Sequence, residues 1–402
     1  MRVIVEQGRA KGSVFAPPSK SMAHRLLICA AFSEGKSTVH GVAPCEDVLA
    51  TIDCLRALGA RVEYAGDTVR VSGIDPRQTV PNAPLACRES GSTLRFLIPI
   101  AWLSGHEAKM VGAHYLMQRP MNVYERIAAE KGLLFSKEGQ EINVKGRLPA
   151  GEYTVPGNIS SQFISGLLFA LPLADGDSVI RILPPVESRS YLNLTVAALR
   201  EFGVEVSWID EYTIRTRGNQ RYRSCETTVE GDYSNAAFLD ALSLVGGDVE
   251  VLGLRRDSLQ GDRVYRAFYE QLKQKRSALS IEDCPDLGPI LFAMAAAGHG
   301  GVFQGTKRLR IKESDRAAAM ASELQKLGVS VCVDEDTLTV EPALLHAPTE
   351  PIDGHNDHRI VMSMAVLLTL VGGEIEGAEA VKKSFPDFFD RLRDLGLRIR
   401  EE

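Results

Sequence analysis

Cysteines are few, aromatics are few, and positive charge is not in excess; each shortage narrows what the chain can be. Seven cysteines in 402 residues stand at positions 29, 45, 54, 87, 225, 284 and 332, an odd number with no CxxC pair and no histidine at ligand spacing. That pattern argues against a disulfide framework and a structural zinc site, and most of the thiols are expected to be small buried hydrophobes. Lys and Arg number 46 against 52 Asp and Glu, a net charge of -6, which speaks against nucleic acid or a membrane surface as partner. Long apolar runs are missing too. The longest, Ile360 to Val371, falls short of the ~20 residues a bilayer crossing needs. The opening MRVIVEQGRAKG has no apolar core and no small-residue cleavage site, so the expected compartment is the cytoplasm. With 45% hydrophobic residues of which little is aromatic, the chain is no disordered polymer. Its length suggests two or three domains at roughly 100–200 residues each.

What the chain has in plenty is repetition. One segment type begins on a small or polar residue, continues as an apolar helix, turns at glycine and ends in a short strand. It starts at Ser19 (SKSMAHRLLICAAFSEGKSTVHG), Ser90, Ser160, Ser234, Pro285 and Asn356, at spacings of 71, 70, 74, 51 and 71 residues. A second helix follows, usually stopping at Leu-Gly or Phe-Gly, as at Gly59, Gly203, Gly328 and Gly396, where a left-handed glycine ends the last turn. Two alternating strands around a turn come next, as in RVEYAGDTVRVSG and VSVCVDEDTLTV. Each unit reads β-α-β-α-β-β or a permutation of it. Helices apolar most of the way round belong inside, with sheets outside. The expected fold is therefore α/β, a two-domain inside-out barrel of repeated βαβαββ-type units.

Irregularities in the repeat locate the domains. The fourth unit is short, the sixth ends before its hairpin closes, and the strand-like RVIVEQGRAKGSVFAP belongs to no complete unit. The N-terminus is expected to supply the missing strands. The expected division is 18–229 against 1–17 with 230–402, with crossings near Pro17-Pro18 and Glu230-Gly231-Asp232. Two connections make a hinge, and the cleft beside a hinge is the default site.

Polar residues gather where the first helix of each unit begins: Ser19-Lys20-Ser21 with Arg25, Ser90-Gly91-Ser92, Ser160-Ser161-Gln162, and Asn356-Asp357-His358-Arg359. A helix N-terminus offers unpaired N–H groups and about half a positive charge, so it attracts anions. A lone SxS is an ordinary N-cap worth ~1 kcal/mol. Four starts with surplus hydroxyls and cations point instead to a receptor for phosphate and carboxylate. Further cations stand at Arg119 in QRPM, Lys312 and Arg316 in RIKESDR, and Lys382-Lys383 in KKSFPDFF. The alternating signs of RIKESDR can hold a carboxylate in a cationic field, ionised and ready to act as a base. Asp286 opens an apolar helix in DCPDL, where N-capping and a functional role are equally open.

In order, PPSKSMAHR, ESGSTLRFL, QRPM, GNISSQF, ESRSY, EGDYSNAA, DCPDLGPI, RIKESDR, NDHRIVMS and KSFPDFF resemble the 5-enolpyruvylshikimate-3-phosphate synthase (3-phosphoshikimate 1-carboxyvinyltransferase) family across almost the whole chain. The resemblance implies two lobes that close on substrate. It implies transfer of the enolpyruvyl group of phosphoenolpyruvate to the 5-hydroxyl of shikimate 3-phosphate, by addition and elimination, with no metal and no organic cofactor. It further implies a monomeric cytoplasmic transferase of aromatic amino-acid biosynthesis, the class that glyphosate targets. Its partners are the two small substrates, with no nucleic acid and no membrane. Carried over by position, Ser21, Arg25, Ser160, Ser161, Gln162, Ser188, Asp286 and Lys312 resemble the shikimate 3-phosphate contacts, together with Lys20, and Tyr191 packs on the ring. Lys20, Gly91, Arg119, Gln162, Arg316, Arg359 and Lys383 resemble the phosphoenolpyruvate contacts. Asp286 and Glu313 resemble the acid–base pair, with Lys20 a further proton carrier. The pattern departs at Glu89-Ser90, Phe96 and Arg308.

Three rivals fit less well. A sister enolpyruvyl transferase acts on UDP-N-acetylglucosamine, but its loop cysteine has no counterpart in GAHYLMQ before Arg119, and Lys20 here is flanked by serines. A non-catalytic receptor for phosphorylated metabolites would gain nothing from Asp286 and Glu313. A relative that modifies RNA ends would need a basic stripe.

Overall fold

The computed structural model describes residues 1–402. The chain divides into two bodies: Lys20–Val229, and Met1–Ser19 together with Glu230–Glu402. Each has its own hydrophobic core.

In Lys20–Val229 the pattern helix, strand, helix, hairpin runs three times. The first helices are Lys20–Ala31, Gly91–Ala101 and Ser161–Ala170; the second are Glu46–Ala57, Asn122–Lys131 and Arg189–Glu201. The first helices have almost no exposed face: apolar residues cover most of each, and the charged or polar His24, Arg25 and Arg95 are buried with them. The three four-stranded sheets share one plan: an outer strand parallel to its neighbour, then two antiparallel strands that form the hairpin. In the first sheet the parallel outer strand is Glu226–Thr228 against Lys36–His40, from the far end of the body. Gly166 marks a close approach of two inner helices. A Cβ there would run into the Tyr124 hydroxyl and the Arg95 carbonyl, and that hydroxyl donates to the carbonyls of Arg95 (2.7 Å) and Phe163 (3.1 Å).

In the second body the inner helices are Tyr233–Leu244, Gly288–Ala297 and His358–Val371, again buried nearly throughout. One sheet repeats the common plan with Ser277–Ser280, Gly301–Gln304, Thr337–Val340 and Val331–Val333. In another, Arg2–Val5 lies between Gly373–Glu376 and Ile399–Glu401, antiparallel to both, and Ile352–Asp353 forms the parallel edge. The short fourth unit has no hairpin; its strand Asp248–Leu252 pairs only with Lys11–Phe15, in parallel. No helix is long and apolar enough to cross a membrane.

Candidate functional site

Within Lys20–Val229, the helix starts carry their polar groups into three small assemblies. Arg25, 3% exposed, is held by three acceptors: Nε donates to Thr195 Oγ1 (2.9 Å), Nη1 to the Ser21 carbonyl (2.6 Å) and Nη2 to the Tyr191 carbonyl (3.0 Å). Its guanidinium lies over the Phe96 ring, 5.2 Å from the centroid. Burial lowers its pKa to about 10, so it stays charged at neutral pH. Gln162 joins two helices, its Oε1 accepting from Arg95 Nη1 (2.6 Å) and its Nε2 donating to Ser92 Oγ (3.0 Å). Arg119 lies across Gly91, where a Cβ would stand 2.6 Å from Nη1; only glycine leaves that space.

The remaining predicted positions in this body are built around these three. Lys20 Nζ donates to Asp47 Oδ2 at 2.8 Å. Ser160 caps the helix that Ser161 begins, its Oγ accepting from the Gln162 N–H (3.3 Å). Ser188, buried and left-handed at φ 56, precedes the helix bearing Tyr191. Beneath the helix starts runs a buried relay in which His24 Nδ1 meets Thr51 Oγ1 (2.7 Å), Thr51 meets Thr93 Oγ1 (2.7 Å), and Thr93 donates to Ser90 Oγ (2.7 Å). Burial, together with Lys20 and Arg25, holds the His24 pKa well below 6.5, so this link is neutral imidazole.

In the second body, three predicted residues converge on a fourth, Asp286. Its Oδ1 accepts from Arg316 Nη1 (2.8 Å) and Lys312 Nζ (3.2 Å), and its Oδ2 from Arg359 Nη2 (3.4 Å). Arg316, 1% exposed, also donates through Nη2 to Glu313 Oε2 (2.7 Å) and through Nε to Asp357 Oδ2 (2.8 Å). Burial opposes its charge, but Asp357, Glu313 and Asp286 outweigh burial and raise its pKa. Burial pulls Lys312 down to about 8 against the pull of Asp286. Arg359 is 3% exposed, and its Nε and Nη1 have no hydrogen-bond partner. Lys383 Nζ donates to the Asn356 carbonyl at 2.5 Å. Of the two roles the sequence leaves open for Asp286, helix cap and functional group, the N-cap position falls to another residue. Asp286 sits in the 3-10 turn Pro285–Leu287, Leu287 is the residue that precedes the helix, and the Asp286 carboxylate is given to cations. The side-chain caps of this body are Asp232, Asp315 and Asp357, accepting from the N–H groups of Asn235 (2.9 Å), Ala318 (3.1 Å) and Arg359 (2.9 Å).

Sequence reasoning passed over Asp47 and Arg95. Asp47 reads as a first-turn helix acid, and Arg95, inside ESGSTLRFL, lies within a helix and not at its start. Arg95 is 2% exposed and stacks on Phe163 at 4.9 Å; the hint was a charged residue among apolar ones.

Both bodies hold buried guanidinium groups near helix starts, and in the second these are gathered with Lys312 around carboxylates, the outfit of an enzyme for small anionic substrates. The model of the EPSP synthase (3-phosphoshikimate 1-carboxyvinyltransferase) family matches residues 4–392. A 3-phosphoshikimate 1-carboxyvinyltransferase of Clostridium beijerinckii is 39% identical, covering 97% of this chain and 96% of its own. One from Clostridium kluyveri is 38% identical, covering 99% and 98%. The solved EPSP synthase of Acinetobacter baumannii superposes over the full length of both chains with a TM-score of 0.80 at 25% identity. The chain belongs to the EPSP synthase family.

Proposed function

We propose that this chain moves the enolpyruvyl group of phosphoenolpyruvate onto the 5-hydroxyl of shikimate 3-phosphate and releases phosphate, the family's reaction. The observation that carries this reading is Arg359, a buried guanidinium with two unpaired donor nitrogens beside the Asp286 cluster. A buried donor without a partner costs about 1–3 kcal/mol, and more when charged. A bound carboxylate or phosphate offsets that cost. Arg suits bidentate clamping of such groups, whereas Lys acts as a point charge or proton carrier.

In this reading Arg119, Arg316, Arg359, Lys383, Lys20, Gly91 and Gln162 hold phosphoenolpyruvate. Ser21, Arg25, Ser160, Ser161, Gln162, Ser188, Tyr191 and Lys312 hold shikimate 3-phosphate, along with Lys20 and Asp286. Addition requires a base to take the proton of the 5-hydroxyl while its oxygen bonds to the enol carbon, and an acid to give a proton to the methylene carbon. Elimination then removes a proton from the new methyl group, breaks the carbon–oxygen bond to phosphate and restores the double bond. Asp286 and Glu313 meet Arg316 through different atoms (2.8 and 2.7 Å), and Asp286 also meets Lys312 and Arg359. Carboxylates in unlike settings can divide the acid and base roles. The reading includes a monomer working in the cytoplasm.

Mass spectrometry of a reaction mixture tests it. The expected product is shikimate 3-phosphate with one hydroxyl hydrogen replaced by an enolpyruvyl group, formed in step with phosphate. Phosphate without that product would overturn the reading.

A further inference from the structure

We propose that Glu323 is a positioning residue for phosphoenolpyruvate: through His355 and the Asp353 N–H it fixes the turn that presents Asp357, Arg359 and the Asn356 carbonyl. This rests on the assignment of Arg316, Arg359 and Lys383 to that substrate.

The helix Arg316–Gln325 begins on Arg316 and carries Glu323 two turns later, which puts both on one face. Arg316 grips Asp357 (2.8 Å). Glu323, 1% exposed, grips the residues just before it: Oε2 accepts from the Asp353 N–H (2.9 Å) and Oε1 meets His355 Nε2 (2.9 Å). Lys326 adds an ion pair at 2.7 Å. One helix face therefore holds both ends of the segment 353–357.

That segment needs holding. His355 and Asn356 both lie in the left-handed region, at φ 48 and 49, a conformation costly for side-chain-bearing residues unless the surroundings impose it. At Gly354 a Cβ would stand 2.7 Å from Val361 Cγ2 and 2.8 Å from the Glu376 carbonyl, so the backbone is pressed against its neighbours. The chain then delivers the Asn356 carbonyl to Lys383 (2.5 Å) and Asp357 to the N–H of Arg359 (2.9 Å). Strained backbone tends to collect at functional sites, and here it directly precedes the helix start that carries Arg359, whose Nε and Nη1 have no partner.

The charges agree with the geometry. Burial would raise the Glu323 pKa, but His355, Lys326 and the Asp353 N–H together hold it below 4.5. The hydrogen bond to Glu323 raises His355 above 6.5; Asp353 adds to the effect and Lys326 opposes it. With the folded value raised, the imidazolium's contribution is complete below 6.5 and fades as pH climbs through the higher folded value.

Two readouts test the proposal. In the substrate-free protein, NMR titration of the His355 ring, identified by its loss in His355→Gln, should give a pKa above 6.5 that returns toward 6.5 in Glu323→Gln. In steady-state kinetics Glu323→Gln should raise KM for phosphoenolpyruvate about tenfold, as for the loss of one charge-assisted hydrogen bond. KM for shikimate 3-phosphate and kcat should change less than about twofold. The wild-type KM for phosphoenolpyruvate should rise across the His355 titration, and that inflection should vanish in His355→Gln, a second variant at a 29% exposed side chain that serves if Glu323→Gln does not fold. An unchanged KM, or one that rises equally for both substrates, would overturn the proposal. A wild-type enzyme that releases no phosphate overturns the functional reading alone, since the His355 titration is read without turnover.

Discussion

Replacing Gly91 by alanine separates a site effect from a folding effect. The added methyl would stand 2.6 Å from Arg119 Nη1 and 3.1 Å from its Cζ, whereas ordinary contact begins at 3.4 Å. The guanidinium must retreat by 0.8 Å or more. It is the far end of a long side chain, so it can retreat cheaply, and alanine is a better helix residue than glycine by up to ~1 kcal/mol. No loss of Tm is expected. The cost falls on the ligand: one charge-assisted hydrogen bond misplaced, about 1.5–3 kcal/mol, or roughly 10- to 100-fold in KM for phosphoenolpyruvate. KM for shikimate 3-phosphate should hold, because Arg119 is assigned only to the other substrate. Phosphate release over a matrix of both substrate concentrations, beside a thermal melt, reads all three quantities. A Gly91→Ala enzyme with wild-type KM for phosphoenolpyruvate would refute the placement of Arg119 on that substrate.

Other perturbations reach other parts of the molecule. Glu313→Gln should still bind both substrates by calorimetry while kcat falls ~100-fold or more; a wild-type rate would remove Glu313 from the proton transfers. Lys20→Met deletes the ammonium that meets Asp47 (2.8 Å) and should abolish turnover, so near-normal kcat would refute its role. Lys312 titrates near 8, charged below that value and neutral above it, so KM for shikimate 3-phosphate should rise as pH passes about 8. Lys312→Arg should flatten the rise, and an unchanged pH profile would detach Lys312 from that substrate. Gly166→Ala forces a methyl onto Tyr124 and Arg95 and should cost about 1–3 kcal/mol of stability by chemical denaturation; equal stability would contradict the close helix approach.

The layered α/β architecture is legible in the chain because its repeat is written in local chemistry. A segment such as GPILFAMAAA has no polar face to show to water, so it belongs inside, and glycines at Gly59, Gly203, Gly328 and Gly396 mark helix ends with positive φ. The concentration of cations at helix starts is legible for the same reason. Partnerships across long stretches of sequence are not. Nothing near Arg25 announces Thr195, 170 residues on, and Arg95 looks like an interruption of an apolar helix until Gln162 is beside it. Asp286 has the local signature of a cap, and only the fold brings Lys312, Arg316 and Arg359 around its carboxylate. Glu323, in SELQKLG, reads as a solvated helix charge; tertiary packing buries it and turns it toward His355.

The most direct measurement is phosphate release by the purified full-length chain, with phosphoenolpyruvate and shikimate 3-phosphate supplied together and then each alone. Enolpyruvyl transfer requires phosphate only when both are present, in one-to-one ratio with the phosphoenolpyruvate consumed. Release from phosphoenolpyruvate alone, or none from the pair, would contradict it.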